Sequence, residues 1–162
     1  MPDCCCSSHH ETRNPVKHRC PVNGKEYPEV SKRTITHHIK QSWLWKGTGL
    51  KYFFCNDPNC DVVYFGADES VILKSQMRTI VGVKENSDEA LVCYCYGATK
   101  ADVLNEQGIR KFVIEQTKHK ECSCETSDPS GVCCLKYFPH NKHWERLLWV
   151  EVSSGHLINP RG

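Results

Sequence analysis

The spacing of apolar positions changes along this chain, and the first regular spacing predicts a helix. Ile35, Ile39 and Trp43 recur at intervals of four residues, which places them on one face of a helix. Ser31 precedes them and is a typical helix N-cap residue. These positions predict a short amphipathic helix that begins after Ser31.

Unbroken apolar runs follow this helix and predict strands. Residues 52–55 and 62–65 are aromatic or β-branched runs, and residues 56–59, which favour turns, separate them. The two runs therefore predict a hairpin that carries Cys55 and Cys60 at the ends of its loop. Further short strands are predicted for two more runs, 71–73 and 79–83.

The polar stretch 84–89 is the predicted boundary before a helical pattern begins. Thr99 and Asp102 form a start like a capping box, in which aspartate replaces the usual Glu or Gln. Gly108 fits the end of that helix, and a second amphipathic stripe covers residues 109–120. The sequence therefore predicts an α+β protein, with a small zinc-ribbon-like β module followed by a helical module.

The composition indicates bound metal in a reducing compartment. The chain has 162 residues and 12 cysteines, which is well above average usage. The first ten residues contain no apolar run and no stretch is long enough to span a bilayer, so we expect no secretory signal, no membrane insertion and a cytoplasmic location. Cysteines in such a compartment are more often metal ligands than disulfides. A net charge of +2 without a basic, aromatic-rich run argues against nucleic acid as a partner.

The first candidate metal site combines a turn with the hairpin. Cys20 opens the predicted turn 20–24, and Cys55 and Cys60 supply two more thiolates, a pattern typical of structural zinc. A turn of the form Cys-Pro-x-Cys-Gly would supply the fourth ligand, but Asn23 stands at that position. We assign His38, at the border of the inward helix face, as the fourth ligand. The open alternatives are His37, Asn23, Asp57 and Asp61, and the non-metal interpretation is a pair of buried core thiols.

The second candidate site combines a Cys-x-Cys pair with a cysteine group beyond the two helices. Each iron of a [2Fe–2S] cluster takes two thiolates. Cys93 and Cys95 point to the same side of an extended backbone, and we assign Cys124 and Cys134 as the second pair. The alternatives for the second pair are Cys122 and Cys133. A second zinc site and a redox dithiol are the other interpretations of this group.

Five segments stand out along the sequence: Tyr52-Phe-Phe-Cys-Asn-Asp-Pro-Asn-Cys-Asp-Val-Val-Tyr-Phe65, Val81-Gly-Val-Lys84, Val92-Cys-Tyr-Cys-Tyr-Gly97, Cys122-Ser-Cys-Glu125 and Pro129-Ser-Gly-Val-Cys-Cys-Leu135. Together they closely resemble the amino-terminal domain of the CopZ-type copper chaperones, and the resemblance covers most of the chain, from about Cys20 to Leu135. The second half is also similar to bacterioferritin-associated ferredoxin.

The resemblance implies zinc at Cys20, Cys55 and Cys60, and a [2Fe–2S] cluster at Cys93, Cys95 and two of the later cysteines. In many members a cysteine stands at the position of Asn23. The family's chaperones also carry a copper domain with a Met-x-Cys-x-x-Cys loop. This sequence has methionine only at positions 1 and 77 and no Cys-x-x-Cys, so copper delivery through such a loop is not carried over.

The leading functional hypothesis is an iron–sulfur and zinc protein of copper homeostasis that transfers single electrons. It would reduce Cu(II) to Cu(I) and serve copper-handling or redox proteins. A second hypothesis is a soft-metal chaperone or sensor, in which Cys4–Cys6 and His9–His10 bind Cu(I) or Hg(II). A third is a structural interaction module with four tryptophans as contact residues, although such tryptophans more often pack in the core or at its edge. Those tryptophans are Trp43, Trp45, Trp144 and Trp149.

A dedicated enzyme is less favoured than a metal-binding or electron-transfer protein, because no Ser-His-Asp pattern, phosphate loop or His-Glu-x-x-His motif is present. The predicted organisation is a flexible Cys/His-rich arm at 1–19, a zinc-binding module at 20–88, a [2Fe–2S]-binding helical module at 89–135 and a tail at 136–162.

Overall fold

The computed structural model describes residues 16–47 and 49–138. The prediction of an α+β fold is confirmed within these residues. Most of the predicted arm, Trp144, Trp149 and the tail from residue 139 lie outside them. The elements, in chain order, are β1 Lys17–Arg19, β2 Glu26–Val30, α1 Lys32–His38, β3 Tyr52–Phe54, β4 Val62–Gly66, β5 Val71–Leu73, 3-10 turns at Lys74–Gln76 and Gly82–Lys84, β6 Leu91–Cys93, β7 Ala98–Thr99, α2 Lys100–Asn105, α3 Gln107–Lys118, α4 Cys124–Ser127 and a 3-10 turn at Cys134–Tyr137.

The first part of the chain is an antiparallel sheet in the order β1-β2-β3-β4-β5. The predicted hairpin is confirmed as β3 and β4, which pair with Phe53 opposite Phe65. Every residue of both strands is buried. Alternate side chains enter two different cores, because Tyr52 and Phe54 pack with α1 while Phe53 packs with the cysteines of the first candidate site.

The second part is a two-stranded ribbon, β6-β7, with helices packed around it. The predicted cap of α2 is confirmed, because the Thr99 side chain accepts from the Asp102 amide while the Asp102 carboxylate accepts from the Thr99 amide. The core of this part is small and contains three buried thiols. Its buried members are Cys93, Ala98, Val113, Cys124, Cys134 and Phe138.

Three side chains of the first part hold the backbone of residues 125–129 in the second. Thr34 donates to the carbonyl of Glu125 over 2.6 Å, and Tyr64 donates to that of Pro129 over 2.6 Å. His38 reaches the carbonyl of Thr126 at 2.8 Å. We call these three hydrogen bonds the junction bonds. They join the sheet and α1 to the segment that begins with Cys124.

The predicted strand at 79–83 is wrong, because the chain forms a 3-10 turn at Gly82–Lys84 instead. Gly82 lies against the carbonyl oxygen of Leu91, where a β-carbon would come within 2.0 Å of that oxygen. Its amide also donates to the Tyr94 hydroxyl over 2.7 Å. A glycine with this close approach cannot be read from an apolar run.

Two predicted helix ends also differ from the structure. The helix after Ser31 ends at His38, so Trp43 is not part of its stripe and is 78% exposed. α2 ends at Asn105, three residues before the predicted stop at Gly108, which lies in the first turn of α3. Among the described residues, no helix is both long enough and apolar enough to cross a membrane.

We expect Tyr64→Phe to lower the free energy of unfolding by about 1–3 kcal/mol, because the buried Pro129 carbonyl loses its donor. Tyr96→Phe is the matched control, since Tyr96 also donates to a backbone carbonyl but is exposed. It should cost less than about 0.5 kcal/mol. Urea unfolding under reducing conditions measures the free energy of unfolding of both variants. An equal loss in the two variants would show that the Tyr64 hydrogen bond stabilises the protein no more than an exposed one.

Candidate metal centres

The first centre gathers three thiols that the sequence places far apart. The sulfur atoms of Cys20, Cys55 and Cys60 lie within 4.8 Å of one another, and all three residues are buried. Cys20 is held by a tight turn in which the Gly24 amide donates to the Cys20 carbonyl over 2.9 Å. The other two lie at the ends of the β3–β4 loop, where the Asp57 carboxylate accepts from the Asn59 amide. These buried sulfur donors fit the ligand preference of Zn²⁺.

Hydrogen-bond donors surround the Cys55 sulfur. The Asn23 amide nitrogen lies 3.4 Å from it and the Lys84 ammonium 3.8 Å from it. Burial acts to raise the pKa of Cys55, but the Asp57 amide, the Tyr27 hydroxyl and the charge of Lys84 together lower it below the ordinary value. Cys60 lacks these donors, and burial raises its pKa to about 11. Cys55 is therefore better prepared than Cys60 to bind a metal ion as thiolate.

His38 does not lie at this centre, which corrects its assignment as the fourth ligand. It is buried, and its ring nitrogens are 2.9 Å from the Thr79 hydroxyl and 2.8 Å from the Thr126 carbonyl. The carbonyl accepts from Nε2, so Nδ1 accepts from the hydroxyl. Burial lowers the His38 pKa to about 4, which keeps the ring neutral. The apolar periodicity of α1 correctly predicted that His38 is buried. However, its ring contacts the backbone of residue 126 and not the three thiols.

None of the four alternative fourth ligands presents a free ligand atom to the thiols. Asn23 is at the centre, but its oxygen accepts from the Lys25 amide, so its nitrogen faces Cys55. Asp57 pairs with the Lys25 ammonium over 2.7 Å. His37 and Asp61 are exposed. Among the described residues, the potential metal-ligating group here consists of the three cysteines.

The second centre brings five thiols together. The sulfur atoms of Cys124, Cys133 and Cys134 lie within 4.8 Å of one another. The Cys95 sulfur is 3.5 Å from that of Cys124, and the Cys93 thiol neighbours the thiols of Cys134 and Cys95. The structure thus places the four assigned cysteines side by side. Cys133 joins them through the group within 4.8 Å, whereas Cys122 is not part of that group and packs against the core of the second part.

Among the four assigned ligands of this centre, Cys95 is the one whose pKa is lowered. Hydrogen bonds from Cys124, from Cys93 and from the Ser123 amide, at 3.3 Å, strongly lower its pKa. The pKa values of Cys124 and Cys134 are raised, because neighbouring thiols bond to them and burial disfavours charge. Several thiols at this spacing cannot all ionise without a cation between them. The group can therefore hold a soft metal ion or a cluster.

Sequence reasoning missed two contributors to these centres. Lys84 was assigned to a polar boundary, yet it is buried and its ammonium donates to the carbonyls of Asp57 and Cys60. Ser123 was not singled out, yet its amide donates to Cys95. A lysine after a strand normally indicates surface, and backbone donors carry no residue signature, so neither could be found from residue type.

Comparisons with known proteins find similarity over most of the chain. A family model described as a zinc binding domain of the CopZ type matches residues 17–78. The copper chaperone CopZ of Archaeoglobus fulgidus is 34% identical over 134 residues, which are 80% of this chain and 61% of that protein. The chain thus spans about three fifths of the length of this curated relative. The X-ray structure of the A. fulgidus CopZ N-terminal domain matches with a TM-score of 0.59 and 33% identity, covering 80% of this chain and 97% of that one.

We expect acid to destabilise the protein through His38, because its folded pKa of about 4 lies below the value of 6.5 that we take for the unfolded chain. Between these values the unfolded state binds a proton that the folded state excludes, so stability falls as the pH falls. His38→Gln, which retains a donor for Thr126, should remove about 2 kcal/mol of the loss in unfolding free energy between pH 7 and pH 5. The measurement is urea unfolding across this range.

The control for this experiment is His119→Gln, which replaces an exposed histidine at the end of α3. It should keep the pH profile of the wild-type protein. A His38→Gln profile that runs parallel to the wild-type profile would show that His38 does not carry the acid sensitivity.

Proposed function

Because the chain belongs to the family of the CopZ amino-terminal domain, we propose that it is a two-centre metal protein of copper homeostasis. In this proposal Cys20, Cys55 and Cys60 bind a structural zinc ion. The second centre binds a [2Fe–2S] cluster that transfers single electrons. The observation that carries the proposal is the convergence of Cys-x-Cys with the later cysteines, beside a separate three-thiol group.

The proposed cluster ligands are Cys93, Cys95, Cys124 and Cys134. They fit a cluster because they form two neighbouring contacts, Cys95 with Cys124 and Cys93 with Cys134. Three of them are buried, and Cys95 is half-buried. We prefer Cys134 to Cys133 because Cys134 is 1% exposed and contacts Cys93. A cluster bound here would supply one electron in each cycle of reduction and oxidation.

The chain's own residues favour electron exchange on the Cys95 side. The amide of Ser123 donates to the Cys95 sulfur over 3.3 Å, and such a hydrogen bond tunes the reduction potential of a cluster. The next residue, Tyr96, is 37% exposed, and its ring lies 5.1 Å from that of Phe112, which is 45% exposed. These two aromatic rings offer a contact surface for a redox partner next to the least buried proposed ligand.

Copper enters this proposal as a substrate. One electron leaves the reduced protein and converts one Cu(II) ion to Cu(I), which a separate copper-handling protein accepts. We expect this reaction in the reducing, cytoplasmic compartment that the cysteine-rich sequence predicts.

The other two hypotheses have less support among the described residues. Cys4–Cys6 and His9–His10, the soft-metal candidates, lie outside them. Trp43 is exposed, but Trp45 packs on Tyr52 with ring centroids 5.3 Å apart. The interaction-module hypothesis therefore rests on Trp43 alone within the described part of the chain.

We expect Ser substitution at any of Cys93, Cys95, Cys124 or Cys134 to remove most of the iron and sulfide, because each iron needs two thiolates. Iron and sulfide analysis, with the visible spectrum of anaerobically purified protein, measures the loss. Cys122→Ser is the matched control and should retain the cluster, as should Cys133→Ser. Full iron and sulfide content in both Cys93→Ser and Cys95→Ser would rule out this ligand set.

We expect the reduced protein to convert Cu(II) to Cu(I) with one Cu(I) formed per cluster oxidised. The test mixes dithionite-reduced, desalted protein anaerobically with Cu(II) and a Cu(I)-specific chelator. The cluster-free Cys95→Ser variant controls for reduction by the other thiols. Equal Cu(I) formation by this variant and the wild-type protein would contradict the electron-transfer function. So would a cluster whose reduction potential lies outside the range of cellular reductants.

A further inference from the structure

A lysine ammonium lies beneath the three-thiol centre, in a position where lysine is seldom found. Lys84 is 5% exposed, and its ammonium donates to the carbonyls of Asp57 and Cys60 over 2.8 Å each. The third contact is the Cys55 sulfur at 3.8 Å. Lysine is almost never fully buried unless it is paired, because an isolated charge is costly in the protein interior.

Contacts with Leu91 and Tyr94 fix the backbone that carries Lys84. The 3-10 turn Gly82–Lys84 packs through Gly82 on the Leu91 carbonyl, and the Gly82 amide donates to the Tyr94 hydroxyl. The Tyr94 hydroxyl in turn donates to the Ile80 carbonyl over 2.8 Å. The Tyr94 hydroxyl therefore bridges Ile80 and Gly82, which fixes the backbone immediately before Lys84.

The positive charge of the Lys84 ammonium would balance the net charge of a zinc-loaded centre. Three thiolates around one divalent cation leave a single net negative charge, and one ammonium cancels it. The other nearby lysine, Lys25, has a 67% exposed side chain and pairs with the Asp57 carboxylate. Among the residues that the structure describes at this centre, Lys84 is the buried cation.

We propose that Lys84 is the counter-ion and positioning residue of the zinc centre, because it holds the Cys55–Cys60 loop by two carbonyls and neutralises the zinc–thiolate group. This inference rests on the proposed zinc site at Cys20, Cys55 and Cys60. It differs from a purely structural role in one respect. A structural lysine stabilises the protein with or without zinc, whereas a counter-ion matters when the thiolates and the metal are present.

The experiment compares the full chain with Lys84→Met, with Lys25→Met as the matched control. Zinc affinity is measured by competition with a chromophoric chelator, and the share of binding lost in Cys55→Ser defines the first centre. Unfolding temperatures are recorded with and without zinc. Cobalt substitution gives a further readout, because a hydrogen bond or charge at Cys55 shifts the sulfur-to-cobalt charge-transfer band.

We expect Lys84→Met to weaken zinc binding at the first centre about 10–100-fold, as loss of a residue around metal ligands commonly does. It should move the charge-transfer band and reduce the stabilisation that zinc gives. The zinc-free protein should lose less stability than the zinc-loaded one, because it loses only the donor to the Asp57 and Cys60 carbonyls, whereas the zinc-loaded protein also loses its counter-charge. Lys25→Met should bind zinc within about threefold of wild type, since its side chain is exposed.

Two results would overturn the inference while leaving the zinc site intact. One is wild-type zinc affinity in Lys84→Met. The other is an equal loss of stability with and without zinc, together with an unchanged cobalt spectrum, which indicates a structural lysine only. If the wild-type chain binds no zinc that depends on Cys55, the proposed zinc site itself fails, and the role of Lys84 fails with it.

Discussion

The position of the second part of the chain against the sheet and α1 depends on the junction bonds, in which side chains donate to backbone carbonyls. Residues 125–129 are Glu, Thr, Ser, Asp and Pro, which offer little apolar surface, so hydrophobic burial alone cannot position this segment. Thr34, His38 and Tyr64 solve this by donating to consecutive parts of residues 125–129. Buried hydrogen bonds are directional and expensive to break, so they fix the segment more narrowly than apolar contacts would. Cys124 starts the helix that these bonds hold.

The two centres treat thiol charge in different ways. At the first, donors and a buried ammonium surround Cys55 and lower its pKa. At the second, the thiols are mainly each other's partners, which lowers the pKa of Cys95 and raises that of Cys134. Three thiols beside a buried lysine suit a single small divalent ion such as Zn²⁺. A group of several adjacent thiols suits a larger cofactor such as an iron–sulfur cluster. This contrast is consistent with assigning different cofactors to the two centres.

The sequence correctly predicted the features that depend on interactions between residues close together in the chain. The β3–β4 hairpin and the cap at Thr99 follow from strand and capping preferences within a few residues, and both are confirmed. The gathering of Cys20 with Cys55 was also inferred from turn chemistry, and the structure brings them together. His38 shows where such reasoning ends. Its helix face was correct, but whether that face meets the thiols or the junction depends on how α1 packs, which periodicity does not contain.

The short link between the two centres constrains how this protein could be rebuilt. Lys84 contacts the first centre, and two residues earlier Gly82 is bonded to Tyr94, which stands between the two cysteines of the Cys-x-Cys pair. A chimaera that joined the sheet of one homologue to the helices of another would have to match both contacts through the same turn. We therefore expect a functional chimaera to keep the turn at 82–84 and Tyr94 from the same parent protein.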